Sequence, residues 1–297
     1  MLGIAYPEMP FIPFFGTPTS RHNFCEEDHI VTSFIGEFIN TLSNVAYIYY
    51  AARGLQRLRH VPHSRHAPLQ YYGLATVGIA SAIFHCLLKY HSQMGDDLSM
   101  LFAAGAVFHR IWTFDKSERT QTWAAIAVFG FLILFSTWHM ITNEIHGHAL
   151  LFGIMVVVVA YKTVRVLNER AKPVEKQQLG KLALIGSLSF ASGYGFWNLD
   201  FLACDTLNEI RHTVGMPLAF ILELHGWWHI LTAVGVYVCM ALVEYLTEPD
   251  AGSDGFAWPA SAFIGNAAAG AAERGPVTMD SKLPINSESF RSAKMRE

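Results

Sequence analysis

Seven long apolar segments set the first limit on how this chain can fold. Each is close to the roughly 20 residues that a helix needs to cross the hydrocarbon core of a bilayer. Backbone polar groups must be satisfied internally in lipid, so segments of this length predict helices. The sequence predicts an all-α polytopic membrane protein, a seven-transmembrane-helix bundle. The segments lie at residues 30–52, 69–90, 97–115, 121–140, 147–166, 180–198 and 217–246.

The composition agrees with a membrane protein. Of the 297 residues, 52% are hydrophobic and only 15% are charged, whereas soluble domains carry about 25% charged residues. Residues 1–29 lack the basic start and apolar run of a cleavable signal peptide. No basic stripe indicates nucleic acid, and no feature indicates an obligate protein partner.

Basic residues predict the orientation of the bundle. They concentrate in the loops after the first, third and fifth segments, which we therefore expect to be cytosolic. The N-terminus is then lumenal or extracellular, and the C-terminus is cytosolic. We expect a lumenal segment (1–29), a membrane domain (30–246) and a disordered cytosolic tail (247–297) rich in Gly, Ala and Ser. The basic residues are Arg53, Arg57, Arg59, Arg65, Lys116, Arg119, Arg165, Arg170, Lys172, Lys176 and Lys181.

Two histidines in the last apolar segment are candidate metal ligands. His225 and His229 are four residues apart and lie on one face of a helix, a spacing that suits two imidazoles on one Zn²⁺. Ionisable groups at membrane depth are costly and usually functional. The alternative is that both rings are packing residues in a helix bundle.

Depth in the membrane indicates which other residues can join them. His85 lies about 8 Å, and His225 about 12 Å, from the lumenal ends of their segments at 1.5 Å per residue. Ser81 precedes His85 by four residues, and Asp96-Asp97 opens the third segment at the same end. One Asp is enough to cap the N-terminus of the helix, so the other is available for a functional role. His139 remains an alternative ligand.

The lumenal connections hold further candidate residues. Acidic residues in Asn23-Phe-Cys-Glu26-Glu27-Asp28 suit a hard cation such as Ca²⁺, or alternatively mark an acidic helix start. Cys25 and Cys204 both fall on the oxidising side, which favours a disulfide between them. Asp200 follows Trp197 and is a candidate contact to the site. In the simpler interpretation, the Trp anchors the helix at the membrane interface and Asp200 only reaches water.

Taken together, these motifs resemble the alkaline ceramidases, which belong to a superfamily of seven-helix membrane hydrolases that includes the adiponectin-type receptors. The resemblance covers about residues 20–245. The matching stretches are Asn-Phe-Cys-Glu-Glu-Asp, Glu-Phe-Ile-Asn-Thr-Leu-Ser-Asn, Ser-x-x-x-His-x-x-Leu-Lys-Tyr, Phe-Trp-Asn-Leu-Asp and His-x-Trp-Trp-His.

The resemblance implies a site for each metal. Zn²⁺ would be held by His85, His225 and His229, with Asp96 as the base and Ser81 near the scissile carbonyl. The family's disulfide maps onto Cys25 and Cys204. The family often has Asp at position 23 and Asn at position 28, so this chain exchanges the two. The implied Ca²⁺ ligands are Asn23, Phe24 through its carbonyl, Glu26, Asp28 and Glu37.

The expected activity is zinc-dependent hydrolysis of the ceramide amide to a sphingoid base and a fatty acid. Phytoceramide and dihydroceramide are among the candidate substrates, reached from within the membrane. The resemblance implies an endoplasmic reticulum or Golgi membrane. The alternative is a receptor-like or lipid-remodelling folding factor of the same superfamily with a non-ceramide substrate.

Overall fold

The computed structural model describes residues 4–59, 67–142, 144–171 and 173–247 of this chain. Within them the regular structure is helical, with two isolated backbone bridges and no sheet. The all-α prediction is confirmed. The predicted tail lies outside the described residues from position 248 onward. The helices are α1 Phe38–Ser43, α2 Val45–Leu58, α3 Ala67–Leu87, α4 Tyr90–Thr113, α5 Glu118–Thr142, α6 Ile145–Arg170, α7 Pro173–Leu202, α8 Cys204–Val214, a 3-10 helix Leu218–Leu222, and α9 Leu224–Thr247.

The seven predicted segments correspond to α1 with α2, α3, α4, α5, α6, α7 and α9, but several boundaries differ. Residues 30–37 form a loop, and α4 begins at Tyr90 rather than near residue 97. Ser92 caps α4, since its Oγ lies 3.2 Å from the Lys89 amide. Asp96 and Asp97 therefore lie in the second turn of α4 and do not cap it, which excludes the N-cap interpretation.

Three helices are long and apolar enough to cross a bilayer by themselves: Glu118–Thr142, His146–Arg170 and Leu224–Thr247. The first two present exposed apolar side chains such as Leu134 and Val157 on the outside of the bundle. Helix α9 is the most buried of the three. It packs against α7, α2 and α3 and forms the centre of the core.

The two ends of the bundle are both polar. At one end, the side chain of Arg57 on α2 forms an ion pair with Glu244 on α9, and the Tyr71 hydroxyl lies 2.6 Å from the same carboxylate. Arg110 at the end of α4 donates to Thr247 nearby. At the other end lie the end of α3 and the start of α9, so the predicted histidines share one end.

A disulfide joins the N-terminal loop to the start of α8, with the Cα atoms of Cys25 and Cys204 5.3 Å apart. The neighbouring Arg211 is fully buried. Its guanidinium donates to the Cys25 carbonyl at 2.7 Å and pairs with Glu223 at 2.8 Å. These contacts fix the N-terminal loop against the entrance to α9.

A close contact between α7 and α9 generates a prediction about stability. A Cβ at Gly235 of α9 would lie 2.8 Å from the Gly186 carbonyl of α7 and 3.0 Å from Phe190. Small residues permit such close packing in membrane bundles. We expect Gly235→Ala to force α7 and α9 apart at a cost of about 1–3 kcal/mol, which thermal unfolding in detergent would measure as a lower Tm.

Gly195→Ala on α7 is the matched control, because nothing lies within 4 Å of its added Cβ. Alanine favours a helix over glycine, so this control should leave the Tm unchanged or raise it. Equal Tm values for Gly235→Ala and the wild type would contradict the tight α7–α9 contact.

Candidate functional site

Three buried histidines converge at one end of the bundle. His85 lies in the last turn of α3, and His225 and His229 lie in the first turns of α9. Their ring centroids are 5.1 Å (His85–His225), 5.0 Å (His85–His229) and 4.6 Å (His225–His229) apart. One nitrogen from each ring lies within 4.8 Å of the others. The predicted set therefore comes together in space, and we call it the histidine centre.

The outer nitrogens of two rings are held in place. His85 Nδ1 lies 2.5 Å from Glu37 Oε2, which is fully buried. His229 Nδ1 lies 2.8 Å from the Ser43 hydroxyl. Metal-ligating histidines usually make such a second hydrogen bond, which fixes the tautomer and the ring orientation.

The inner nitrogens show that a metal fits this centre. His85 Nε2 and His225 Nδ1 are buried and have no hydrogen-bond partner among the described residues. An unsatisfied buried polar atom costs roughly 1–3 kcal/mol, and a cation shared by the rings would remove that cost. Three neutral imidazoles in a dry site form a donor set suited to a divalent metal.

The backbone explains why Glu37 reaches His85. The amides of Gly36 and Glu37 donate to the Cys86 and His85 carbonyls, both at 2.9 Å, and so satisfy the end of α3. Gly36 permits this approach, since a Cβ there would lie 2.6 Å from Leu88 and 3.0 Å from the His85 carbonyl. The loop thereby delivers the carboxylate to the ring.

Ser81 and Asp96 form a pair beside the centre. Ser81 is buried one helical turn before His85, and its side chain interacts with the half-buried Asp96 carboxylate on α4. A hydroxyl can donate and a carboxylate accepts, so the chemistry of the pair suits donation from Ser81 to Asp96. The two predicted catalytic residues are therefore neighbours.

Asp97 points to a different set of partners, which the sequence did not indicate. Its Oδ2 lies 3.5 Å from His139 Nε2, and its carbonyl lies 2.8 Å from His148 Nε2. His139 Nδ1 in turn lies 2.8 Å from the Glu144 carbonyl. His139 therefore pairs with Asp97 and is not part of the histidine centre. Only long-range contacts reveal this cluster, and local spacing carries no signal for it.

Asp200 contacts the site through the backbone. Its Oδ2 accepts from the Cys25 amide at 2.9 Å and its Oδ1 from the His225 amide at 3.2 Å. The carboxylate thus ties the N-terminal loop to the first turn of α9. Of the two interpretations of Asp200, contact with the site is the one that the structure supports.

The N-terminal acidic loop lies directly above the centre. Phe24 stacks on His225 with ring centroids 3.7 Å apart. Glu26 accepts from the Ile39 and Asn40 amides at 2.6 and 2.7 Å, so it caps α1 across the loop. This is the helix-start role that the sequence offered as an alternative to calcium binding.

The remaining predicted calcium ligands are dispersed around this cap. Asn23 is exposed, whereas Asp28 Oδ1 and Glu37 Oε1 are buried without a hydrogen-bond partner in the described part of the chain. Burial raises the pKa of Glu26 to about 8, with the Glu37 carboxylate as the second cause. Over the described ranges, the carboxylates of this loop do not converge on one point as the histidines do.

A cavity of about 300 Å³ opens one turn below the centre. Trp228 and Thr232 of α9 line it on either side of His229, and Val77 of α3 lines it one turn before Ser81. Val157 and Val164 of α6 also line it and are exposed on the outer surface of the bundle. The cavity therefore extends from neighbours of His229 and Ser81 to the lipid-facing side.

The fold and site define a helical membrane protein with a buried three-histidine centre above an apolar cavity. Comparison with known proteins gives the family. The profile described as Ceramidase matches residues 16–266. The chain belongs to the ceramidase family, and the histidine centre is accordingly the candidate active site of a hydrolase.

Individual relatives agree with this assignment. The chain is 30% identical over 258 residues to alkaline ceramidase YPC1 of Saccharomyces cerevisiae, covering 81% of each protein. It is 28% identical to alkaline ceramidase 3 of Mus musculus over 76% of this chain and 83% of the relative. Alkaline ceramidase of Drosophila melanogaster is 25% identical over 76% of this chain and 77% of the relative.

The Glu37–His85 contact generates a prediction about metal affinity. We expect Glu37→Gln to weaken binding of Zn²⁺ by about 10–100-fold, the range found when such outer partners are changed. The amide keeps the size of the side chain but loses the charge that orients the ring. Competition with a chelator, followed by metal analysis of the purified protein, measures the affinity.

The control is Glu27→Gln, since Glu27 is partly exposed and pairs with His212 at 3.1 Å, outside the centre. Its affinity for Zn²⁺ should equal that of the wild type. If both variants bind Zn²⁺ equally well, Glu37 does not orient the ligand.

Proposed function

We propose that this protein is a zinc-dependent ceramidase that hydrolyses the ceramide amide to a sphingoid base and a fatty acid. The observation that carries the proposal is the histidine centre, with its unpartnered ring nitrogens, at the head of an apolar cavity. The family and the names of the relatives supply the substrate class. Zn²⁺ is a divalent ion that three imidazole donors suit well, and His85, His225 and His229 would hold it.

The cavity supports a lipid substrate. Its wall is mostly aliphatic and aromatic, and it reaches the outer surface through α6. A ceramide in the bilayer enters sideways through this opening, so its hydrocarbon chains never cross water. The amide then lies at the histidine centre, where polar groups of the chain cluster.

The chemistry divides between the metal and two side chains. When bound, the metal supplies a Lewis acid that polarises a carbonyl and acidifies water. Asp96 accepts the proton of the attacking water. Once protonated, Asp96 no longer requires the Ser81 hydrogen, so Ser81 turns its O–H toward the carbonyl oxygen as that atom gains negative charge. Asp96 then passes the proton to the leaving nitrogen.

This coupling assigns separate roles to the two residues. Asp96 is the base and then the acid, while Ser81 stabilises the developing charge only after the first proton transfer. The interaction between the two side chains supports the assignment, because an ionised carboxylate can only accept the Ser81 hydrogen.

We also propose the seven-span arrangement, with the histidine centre facing the lumen of the endoplasmic reticulum or Golgi. The long helices alternate in direction, so the ends of α2, α4 and α9 meet at the end opposite the centre. The disulfide near the centre suits an oxidising compartment. Of the basic residues that indicate the cytosolic side, Arg57, Lys116 and Arg170 lie at the opposite end in the described part of the chain.

The receptor-like alternative is less well supported. A structural zinc site normally has four protein ligands, whereas a catalytic site keeps one position open. Three converging histidines are found among the described residues, and the proposed base, Asp96, interacts with Ser81 one helical turn before His85. The relatives compared above are named as ceramidases.

The experiment that tests the function is hydrolysis of a ceramide panel by the purified protein, with zinc measured on the same sample. Release of sphingoid base should scale with bound zinc. We expect Asp96→Asn to lower kcat by about 10²–10⁴-fold while zinc stays bound, because the ligands are untouched.

Asp115→Asn serves as the matched control, since Asp115 is exposed at the other end of α4 next to Lys116. It should leave kcat unchanged. Near-normal turnover by zinc-loaded Asp96→Asn would exclude Asp96 as the base. A folded, zinc-loaded wild type that releases nothing from any ceramide would favour the receptor-like class.

We further propose that the N-terminal loop binds Ca²⁺ through Asn23, the Phe24 carbonyl, Glu26, Asp28 and Glu37. Two buried carboxylate oxygens without partners support this proposal. Glu26 also has lone pairs beyond the two amides that it accepts. Closure of the loop around the ion is required, because its carboxylates do not converge in the described residues.

The exchange of Asn and Asp relative to the family pattern offers a test. Affinity for Ca²⁺ depends on the number of ligand charges. Asp28→Asn should therefore weaken Ca²⁺ binding about tenfold, and adding Asn23→Asp should restore it. Calorimetric titration with Ca²⁺ measures both. A double variant as weak as the single variant would exclude position 23 as a ligand.

A further inference from the structure

One pair of hydroxyl groups interrupts the apolar wall of the cavity near the histidine centre. Tyr47 of α2 and Thr232 of α9 both line the cavity, and their oxygens are 2.5 Å apart. The Tyr47 ring centroid lies 6.2 Å from that of His229, and Thr232 follows His229 by three residues. The pair therefore lies where the cavity meets the reacting groups.

The direction of the hydrogen bond between the two hydroxyls follows from a third group. Thr232 Oγ1 lies 2.5 Å from the Trp228 carbonyl, which can only accept. The single hydroxyl hydrogen of Thr232 is used in this bond. Tyr47 must then donate its own hydrogen to Thr232. The Tyr47 oxygen keeps only the capacity to accept, at the wall of a largely apolar space.

Such a fixed acceptor selects ligands that carry a donor. A committed acceptor in the part of an apolar cavity next to the histidine centre favours a chain that places an O–H at that point, because a chain without it leaves the acceptor unpaired. The rest of the chain is held by nonspecific contacts with aliphatic side chains. Tyr47 therefore has the chemistry of a specificity determinant.

We propose that Tyr47, held by Thr232, is a binding subsite for the 4-hydroxyl group of a phytosphingoid backbone. The proposal rests on the proposed ceramidase function. With the amide at the histidine centre, the 3-hydroxyl stays close to the reacting groups. The next carbon along the chain is the first one inside the cavity, at the level of Tyr47. Phytoceramide carries a hydroxyl on that carbon, and dihydroceramide carries only hydrogen.

The test compares kcat/KM of the purified full-length protein on phytoceramide and dihydroceramide with the same acyl chain. Tyr47→Phe should lower kcat/KM for phytoceramide about tenfold, the effect of one lost hydrogen bond. The value of kcat/KM for dihydroceramide should stay the same or rise, because the variant no longer leaves an unpaired acceptor beside that chain. The ratio of the two values thus reports on the hydroxyl and not on general damage.

Tyr50→Phe is the matched control on the same helix. Tyr50 is buried and stacks on Tyr237 with ring centroids 5.0 Å apart, and it does not line the cavity. This variant also loses one hydroxyl group, but the ratio of kcat/KM for the two substrates should stay at the wild-type value. A thermal melt of each variant checks the fold.

A second pair of variants keeps the proposal testable if Tyr47→Phe fails to fold. Thr232→Val removes the group that accepts from Tyr47, whereas Thr232→Ser retains it. The ratio of kcat/KM for phytoceramide to kcat/KM for dihydroceramide should fall in Thr232→Val and keep its wild-type value in Thr232→Ser.

An unchanged ratio in Tyr47→Phe, or equal losses on both substrates, would overturn the subsite while leaving the ceramidase function in place. A wild-type protein that hydrolyses neither substrate would instead overturn the proposed function, and the subsite with it.

Discussion

The contact between the Glu37 carboxylate and His85 is the interaction on which the site depends. Both side chains are fully buried, and their atoms are 2.5 Å apart. A buried carboxylate is costly unless it is paired, and this one also accepts from Asn40 at 2.8 Å. The same residue satisfies the end of α3 through its backbone amide. One residue thereby joins the N-terminal loop, the first helix and the histidine centre.

The distribution of polar groups explains how an apolar bundle can hold such a site. Among the described residues, the buried ion pairs between charged side chains lie at the two ends: Arg57 with Glu244 at one, and Arg211 with Glu223, near the histidine centre, at the other. Loops and helix termini supply partners for several of these groups, such as the Cys25 carbonyl for Arg211. The apolar cavity between them remains free of charged lining residues. A molecule with a polar head and hydrocarbon chains fits this division, since head and chains meet different environments.

The sequence predicted the periodic features of this protein and missed those that depend on contacts between distant segments. Apolar length revealed the helices, and the spacing of His225 and His229 revealed a shared face. The partners of Asp97 and Arg211 come from other helices and loops, so no local pattern marks them. Glu37 was predicted as a calcium ligand, and nothing in the sequence linked it to His85. Its contact with His85 joins residues 48 positions apart, a distance that helical periodicity cannot bridge.

Two hydroxyl groups near the cavity, those of Ser81 and Thr232, show how the acceptor decides where a hydroxyl hydrogen points. The Ser81 hydroxyl interacts with a carboxylate, that of Asp96, whereas the Thr232 hydroxyl donates to the Trp228 carbonyl. A carboxylate can gain a proton during a reaction, whereas a backbone carbonyl cannot. The Ser81 hydrogen is therefore free to turn when Asp96 is protonated, which suits a group that responds to developing charge. The Thr232 hydrogen stays fixed, so the Tyr47 oxygen remains an acceptor throughout the cycle, which suits a group that only recognises the substrate.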